Sequence, residues 1–126
     1  MVNKIPLKSS TVDMNKIYFI ESSNNPNAYN KKSKARGLGQ ITPIVLKEWN
    51  NFHPSKTVVE DDLFNPEVNK QIANWYMNER IPAMLKYFKK EDTVMNRLIA
   101  YNAGIARVGK VLPSETSNYI KKYFGE

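Results

Sequence analysis

Four short motifs in this sequence carry side chains that could do chemistry: Glu21, Gln40, the pair Tyr101-Asn102, and Glu115. Glu21 closes the run Tyr18-Phe19-Ile20-Glu21-Ser22-Ser23-Asn24-Asn25-Pro26, three large apolar residues that lead into a carboxyl and then into turn formers. Met14, Ile17 and Tyr18 follow helical spacing, and Glu21 is the next member of that stripe. A carboxyl in that place is expected to lose water to its apolar neighbours and to sit at the negative end of the helix dipole. Both effects favour the neutral acid, which can protonate a leaving oxygen, as glycosidic bond cleavage requires.

Gln40 lies in Arg36-Gly37-Leu38-Gly39-Gln40-Ile41-Thr42-Pro43, where two glycines let backbone approach a flat ligand and an amide can both donate and accept. The missing third glycine and preceding strand argue against a dinucleotide fingerprint. Tyr101-Asn102 sits before the helix-stopping Gly104, and Glu115 follows Pro113-Ser114, a position that also suits a helix start. Taken singly, each motif has an ordinary structural explanation.

The elements that would position these groups read as helices, with almost nothing that alternates like a strand. A first helix is expected from near Ser10, with Ser10-Thr11-Val12-Asp13 as a variant capping box. A polar loop follows to Thr42-Pro43, which opens a second helix carrying Val45, Leu46 and Trp49 inward; residues 53–64 read as a loop. Asn65-Pro66-Glu67 starts a third helix with Val68, Ile72, Trp75 and Tyr76 as its apolar stripe. Pro82 is expected to end or kink it by pushing Ile81 out of the α region, with Leu85 and Phe88 continuing beyond. A further helix runs from about Asp92 to Gly104, and Ser114 is expected to cap a last one through Tyr119, Ile120 and Tyr123.

Composition bounds the chemistry. The chain has 126 residues, suited to one domain with residues 1–9 as an extension, and 41% are hydrophobic, enough for a core. With no cysteine there is neither a disulfide framework nor a thiolate metal site, and no metal or cofactor is expected. The single histidine, His53, is expected as a solvated loop residue, which leaves Ser-His-Asp catalysis without its base. A net charge of +7 favours an anionic partner, but the basic residues are dispersed and form no stripe or helix-turn-helix, so nucleic acid is not expected. No run approaches the ~18 apolar residues of a membrane span, and no signal peptide is visible at the N-terminus.

In combination and in this order, Glu21-Ser22 before an Asn-Pro turn, Gly37-Leu38-Gly39-Gln40-Ile41-Thr42-Pro43, Asn65-Pro66-Glu67-Val68-Asn69, Tyr101-Asn102-Ala103-Gly104 and Pro113-Ser114-Glu115-Thr116-Ser117-Asn118-Tyr119 resemble the soluble lytic transglycosylase domain of glycoside hydrolase family 23. Goose-type lysozymes share that fold. The resemblance spans roughly residues 16–124. It implies a mainly α, lysozyme-like domain with a glycan-binding groove, acting on peptidoglycan at the bacterial cell wall, in the periplasm, outside the cell or on a virion, and expected to be monomeric. Residue by residue, it implies that Glu21 is the sole catalytic acid, that Ser22 supports the helix end, and that Gln40 lines the sugar groove. It further implies that Tyr101 and Asn102 hold the sugar beside the acid, that Glu115 is a second acidic residue of the groove, and that Tyr119 closes one side. Gly39 and Thr42 stand where members commonly carry Met, and Asn30 is the best match to a groove serine, with one extra residue before Gly37.

Three other outcomes remain open on the residues alone. They are hydrolysis of the same bond by a groove water, a wall-binding module that keeps the fold without activity, and a basic nucleic-acid-binding domain.

Overall fold

The computed structural model describes residues 11–125, and they are mainly helical, with isolated β-bridges but no strand. Two compact units divide the chain: one is Met14–Tyr76, and the other joins the chain before Met14 to the chain from Met77 onward. No helix among the described residues is long and apolar enough to cross a membrane.

The first unit opens with helix α1, Met14–Ser22, which buries Ile17 and Tyr18. Its start is four residues later than the capping-box expectation: Thr11, Val12 and Asp13 are not helical, and Ser10 lies outside the described residues. Helix α2, Pro43–Phe52, begins as its sequence dictates, with Thr42 Oγ1 accepting from the Val45 amide and Pro43 filling a position whose N–H would have no partner. Leu46 and Trp49 are its buried face.

The stretch expected to be a loop after α2 contains a 3₁₀ turn, Glu60–Phe64, that buries Leu63 and carries Asp61 and Asp62 on its exposed side. Helix α3, Pro66–Trp75, is capped by Asn65, whose Oδ1 accepts from the Glu67 and Val68 amides.

His53 corrects the expectation of a solvated loop histidine. It is half-buried at the end of α2, stacked on Trp49 with ring centroids 3.7 Å apart and edge-on to Trp75 at 5.3 Å. Its Nδ1 lies 2.9 Å from the Trp49 carbonyl. A carbonyl can only accept, so Nδ1 carries the proton. The aromatic residues that α2 and α3 contribute to this cluster decided the outcome, and local sequence could not show that they converge.

In the second unit, the Asp13 amide donates to Tyr123 Oη at 2.8 Å, tying the chain before α1 to the last helix. Ile81 is not pushed out of the α region by Pro82 as expected. A π turn, Tyr76–Arg80, precedes helix α4, Ile81–Tyr87, with Pro82 in the first turn of α4 and Ile81 helical. A proline cannot bond to the carbonyl four residues back and its ring crowds it; a widened turn just upstream relieves both problems.

Helix α5, Val94–Ala103, is capped by Thr93 Oγ1 on the Asn96 amide. It ends at Gly104, whose φ of 95° is a conformation that side-chain-bearing residues rarely adopt. A 3₁₀ turn, Ile105–Arg107, then packs on α4 and α5.

Helix α6, Ser114–Phe124, packs on α5 and buries Thr116, Tyr119 and Tyr123. Its cap position is Pro113, and Ser114 is the first helical residue with no side-chain cap bond, so the expected Ser114 cap is corrected by one position. The buried Arg97 guanidinium is held by Asp92 through two parallel hydrogen bonds of 2.7 and 2.9 Å and by Asn78 Oδ1 at 3.0 Å.

Candidate functional site

Glu21 occupies the last turn of α1, half-buried, one turn beyond the fully buried Ile17 and the buried Tyr18. No basic residue stands in that last turn to offset the helix dipole. Helix α1 stops without glycine. Ser23 and Asn24 take left-handed φ values of 55° and 61°, with the Ser23 amide bonded to Phe19 O at 2.8 Å and the Asn24 amide to Tyr18 O at 3.3 Å. For residues bearing a Cβ, such a stop costs on the order of 1 kcal/mol apiece, less for asparagine. The strain therefore begins two residues after Glu21.

Ser22 secures this helix end. Its hydroxyl lies 3.0 Å from Tyr18 O and 2.9 Å from Leu38 O, so a single proton is shared between the helix and the loop opposite. That loop is a tight reversal. Arg36 and Ile41 exchange both backbone hydrogen bonds at 3.0 Å, and Gly37, Leu38, Gly39 and Gln40 make the turn between them. Gly37 has φ 77°, and a Cβ there would overlap Asn69 Nδ2 and Leu63 O. This glycine is thus required by the protein's own packing; Gly39 instead presents its amide to Asn69 Oδ1 at 2.8 Å.

Gln40 closes the turn with φ 52° and is half-buried. Its Nε2 donates to Gly37 O at 3.1 Å and to Ala28 O at 3.4 Å, which leaves its side-chain carbonyl as the group that can accept. Asn30 is exposed and shapes the lysine-rich loop, its Oδ1 accepting from the Lys32 and Ser33 amides at 2.9 and 3.1 Å. Arg36 reaches over the Tyr29 ring, 5.0 Å from its centroid, and lies 3.6 Å from Glu60.

The remaining expected residues belong to the second unit. Tyr101 and Asn102 stand half-buried in the last turn of α5, directly before Gly104. Glu115 is exposed in the first turn of α6, where the dipole favours its negative charge, and Tyr119 is buried one turn further on. The structure therefore links Ser22 and Gln40 through one turn beside the Glu21 helix end, and gathers the other four on two helices that pack together.

Asn69 is the residue that motif reading passed over. It was legible only as part of a helix start, yet it is fully buried and bonds to three different backbone groups. An asparagine at a core-facing position of an otherwise apolar stripe is the signal that could have marked it.

In comparison with known proteins, the family model described as Transglycosylase SLT domain matches residues 7–124. No curated protein and no solved structure matches significantly.

Proposed function

The chain belongs to the transglycosylase SLT domain family, within the lysozyme-like superfamily, and on that premise we propose that it is a peptidoglycan lytic transglycosylase with Glu21 as its single acid and base. The family acts on cell-wall peptidoglycan by breaking glycosyl bonds. The observation that carries the finer reading is Glu21 itself, a half-buried carboxyl at the negative pole of α1, at the position the family resemblance gives to the acid.

The reaction starts with Glu21 protonated. It donates to the oxygen joining N-acetylmuramic acid to N-acetylglucosamine, the anomeric C–O bond breaks, and the N-acetylglucosamine side leaves as an alcohol. The muramic N-acetyl oxygen supports the developing cation. Glu21, now a carboxylate, takes the proton from the muramic 6-hydroxyl as that oxygen bonds to the anomeric carbon. The product is a 1,6-anhydro sugar; the acid is regenerated and no water is consumed. Hydrolysis through an enzyme nucleophile or an activated water calls for a second carboxyl, about 5–5.5 Å or about 6.5–9.5 Å from the first. A substrate that supplies its own nucleophile needs only one, which agrees with the lone carboxyl of the Glu21 motif.

Gln40 is assigned to the sugar through its side-chain carbonyl, Tyr101 and Asn102 to holding the N-acetyl group, and Glu115 and Tyr119 to the groove wall. Ser22 and Asn30 are assigned to holding the helix end and the loop.

Digestion of purified peptidoglycan followed by mass spectrometry tests the reading. Anhydromuramic ends are expected, and Glu21→Gln should lower turnover at least about a thousandfold, because the acid and the base are removed together. New reducing ends would make the protein a lysozyme, and wall binding without released fragments would make it a binding module.

A further inference from the structure

We propose that Asn69 is a positioning residue for the reaction at Glu21, acting through the Gly37–Gln40 turn; the proposal rests on the reading of Glu21 as the acid. Asn69 points from the second turn of α3 into the interior and is fully buried. Its Oδ1 accepts from the Gly39 amide at 2.8 Å, and its Nδ2 donates to Arg36 O at 2.8 Å and to Leu63 O at 2.9 Å. Both amide hydrogens are therefore used, and the side-chain carbonyl accepts from the turn. One side chain thus fixes the backbone within the turn, at Gly39, and just before it, at Arg36, and ties both to the 3₁₀ turn that precedes α3.

A buried turn needs partners for its peptide groups, and that alone would make Asn69 a stabilising residue. Two features add a positional role. Between the Arg36 and Gly39 contacts lies Leu38, whose carbonyl receives the Ser22 hydroxyl, and Ser22 directly follows Glu21. Next after Gly39 comes Gln40, held in a left-handed conformation by its bonds back to Gly37. Asn69 and Ser22 therefore hold the same turn, Asn69 at Gly39 and at the flanking Arg36, Ser22 at Leu38. A shift of the turn would move both the helix end that carries the acid and the amide assigned to the sugar. Reacting groups tolerate little displacement: about 1 Å costs about a hundredfold in rate.

The kinetic test uses the whole chain on soluble glycan strands from peptidoglycan, with folding checked by circular dichroism. Asn69→Ser should lower kcat about tenfold to a hundredfold while KM changes less than about threefold. Ser22→Ala should lower kcat as well, and the double variant should be no slower than the slower single, because both act through one turn. Asn50→Ala serves as the control. Asn50 clasps Val58 through two hydrogen bonds of 2.8 and 3.0 Å in the same unit, so its loss should lower the melting temperature and leave kcat unchanged.

Wild-type kcat in folded Asn69→Ser, or independent multiplication of the two defects, would overturn the proposal. If Asn69→Ser does not fold, amide exchange decides. The Gly39 amide should exchange slowly in the wild type and at least about tenfold faster in Ser22→Ala; equal rates would overturn the coupling. A wild type that leaves peptidoglycan intact would overturn the proposed function and the catalytic half of this inference, while the exchange experiment still reports on the coupling of turn and helix end.

Discussion

Tyr18 shows how a single side chain near the acid can be read in energetic terms. Its hydroxyl is buried without a hydrogen-bond partner, its ring lies under the Lys70 ammonium at 5.7 Å, and burial pushes its phenol above the ordinary value of 10.0. A buried hydroxyl without a partner costs about 1–3 kcal/mol, so Tyr18→Phe should leave stability unchanged or raise it by up to about 1 kcal/mol. The sign with pH follows from proton linkage. The folded state holds the Tyr18 proton more tightly than the unfolded chain does, so its contribution is intact below pH 10 and is lost as pH rises beyond it. The advantage of Tyr18→Phe over the wild type should therefore grow between about pH 8 and pH 11, as read from urea midpoints. A gap that stays constant would show that Tyr18 ionises equally in both states.

The Gly37–Gln40 turn is where the elements meet, and it depends on residues from α1, α3 and the chain between. Gly37 combines a left-handed φ with contact against Asn69 and Leu63 on its Cβ side. Gly37→Ala adds a conformational penalty of about 1 kcal/mol to an overlap with backbone that cannot move freely. The expected loss is at least about 2–3 kcal/mol in chemical denaturation, with the midpoint reduced and the slope kept. Gly104 has no atom near its Cβ position, so only its φ of 95° resists substitution, and Gly104→Ala should cost about half as much or less. The contrast separates two kinds of glycine that look alike in sequence.

Across the whole molecule the main feature is charge. Nineteen Lys+Arg against twelve Asp+Glu give +7, which favours an anionic partner, and the family acts on cell-wall peptidoglycan. Such an excess attracts the partner over distances near the Debye length, about 10 Å at 0.1 M salt and about 3 Å at 1 M. Binding of the protein to purified wall fragments should therefore weaken several-fold between about 50 and 500 mM NaCl, as measured by sedimentation with the insoluble wall. On the proposed function, Glu21→Gln should follow the same salt curve, because the substitution removes the proposed acid and leaves the basic side chains in place.

The amino-acid sequence by itself determined the helical class, the starts of α2 and α3, the end of α5 and the family, because these rest on local signals: Thr42-Pro43, Asn65-Pro66-Glu67, Gly104 and a fixed order of motifs. Each is a matter of capping chemistry or backbone geometry within a few residues of its own position. Tertiary structure decided the rest. It let Pro82 stay helical by widening the turn before it, packed His53 against two tryptophans, moved the start of α1 to Met14, and gave Asn69 its three partners at sequence separations of 6, 30 and 33 residues. Such partners are fixed by which distant backbone groups need a hydrogen bond once water is excluded, and that is settled only when the chain has packed.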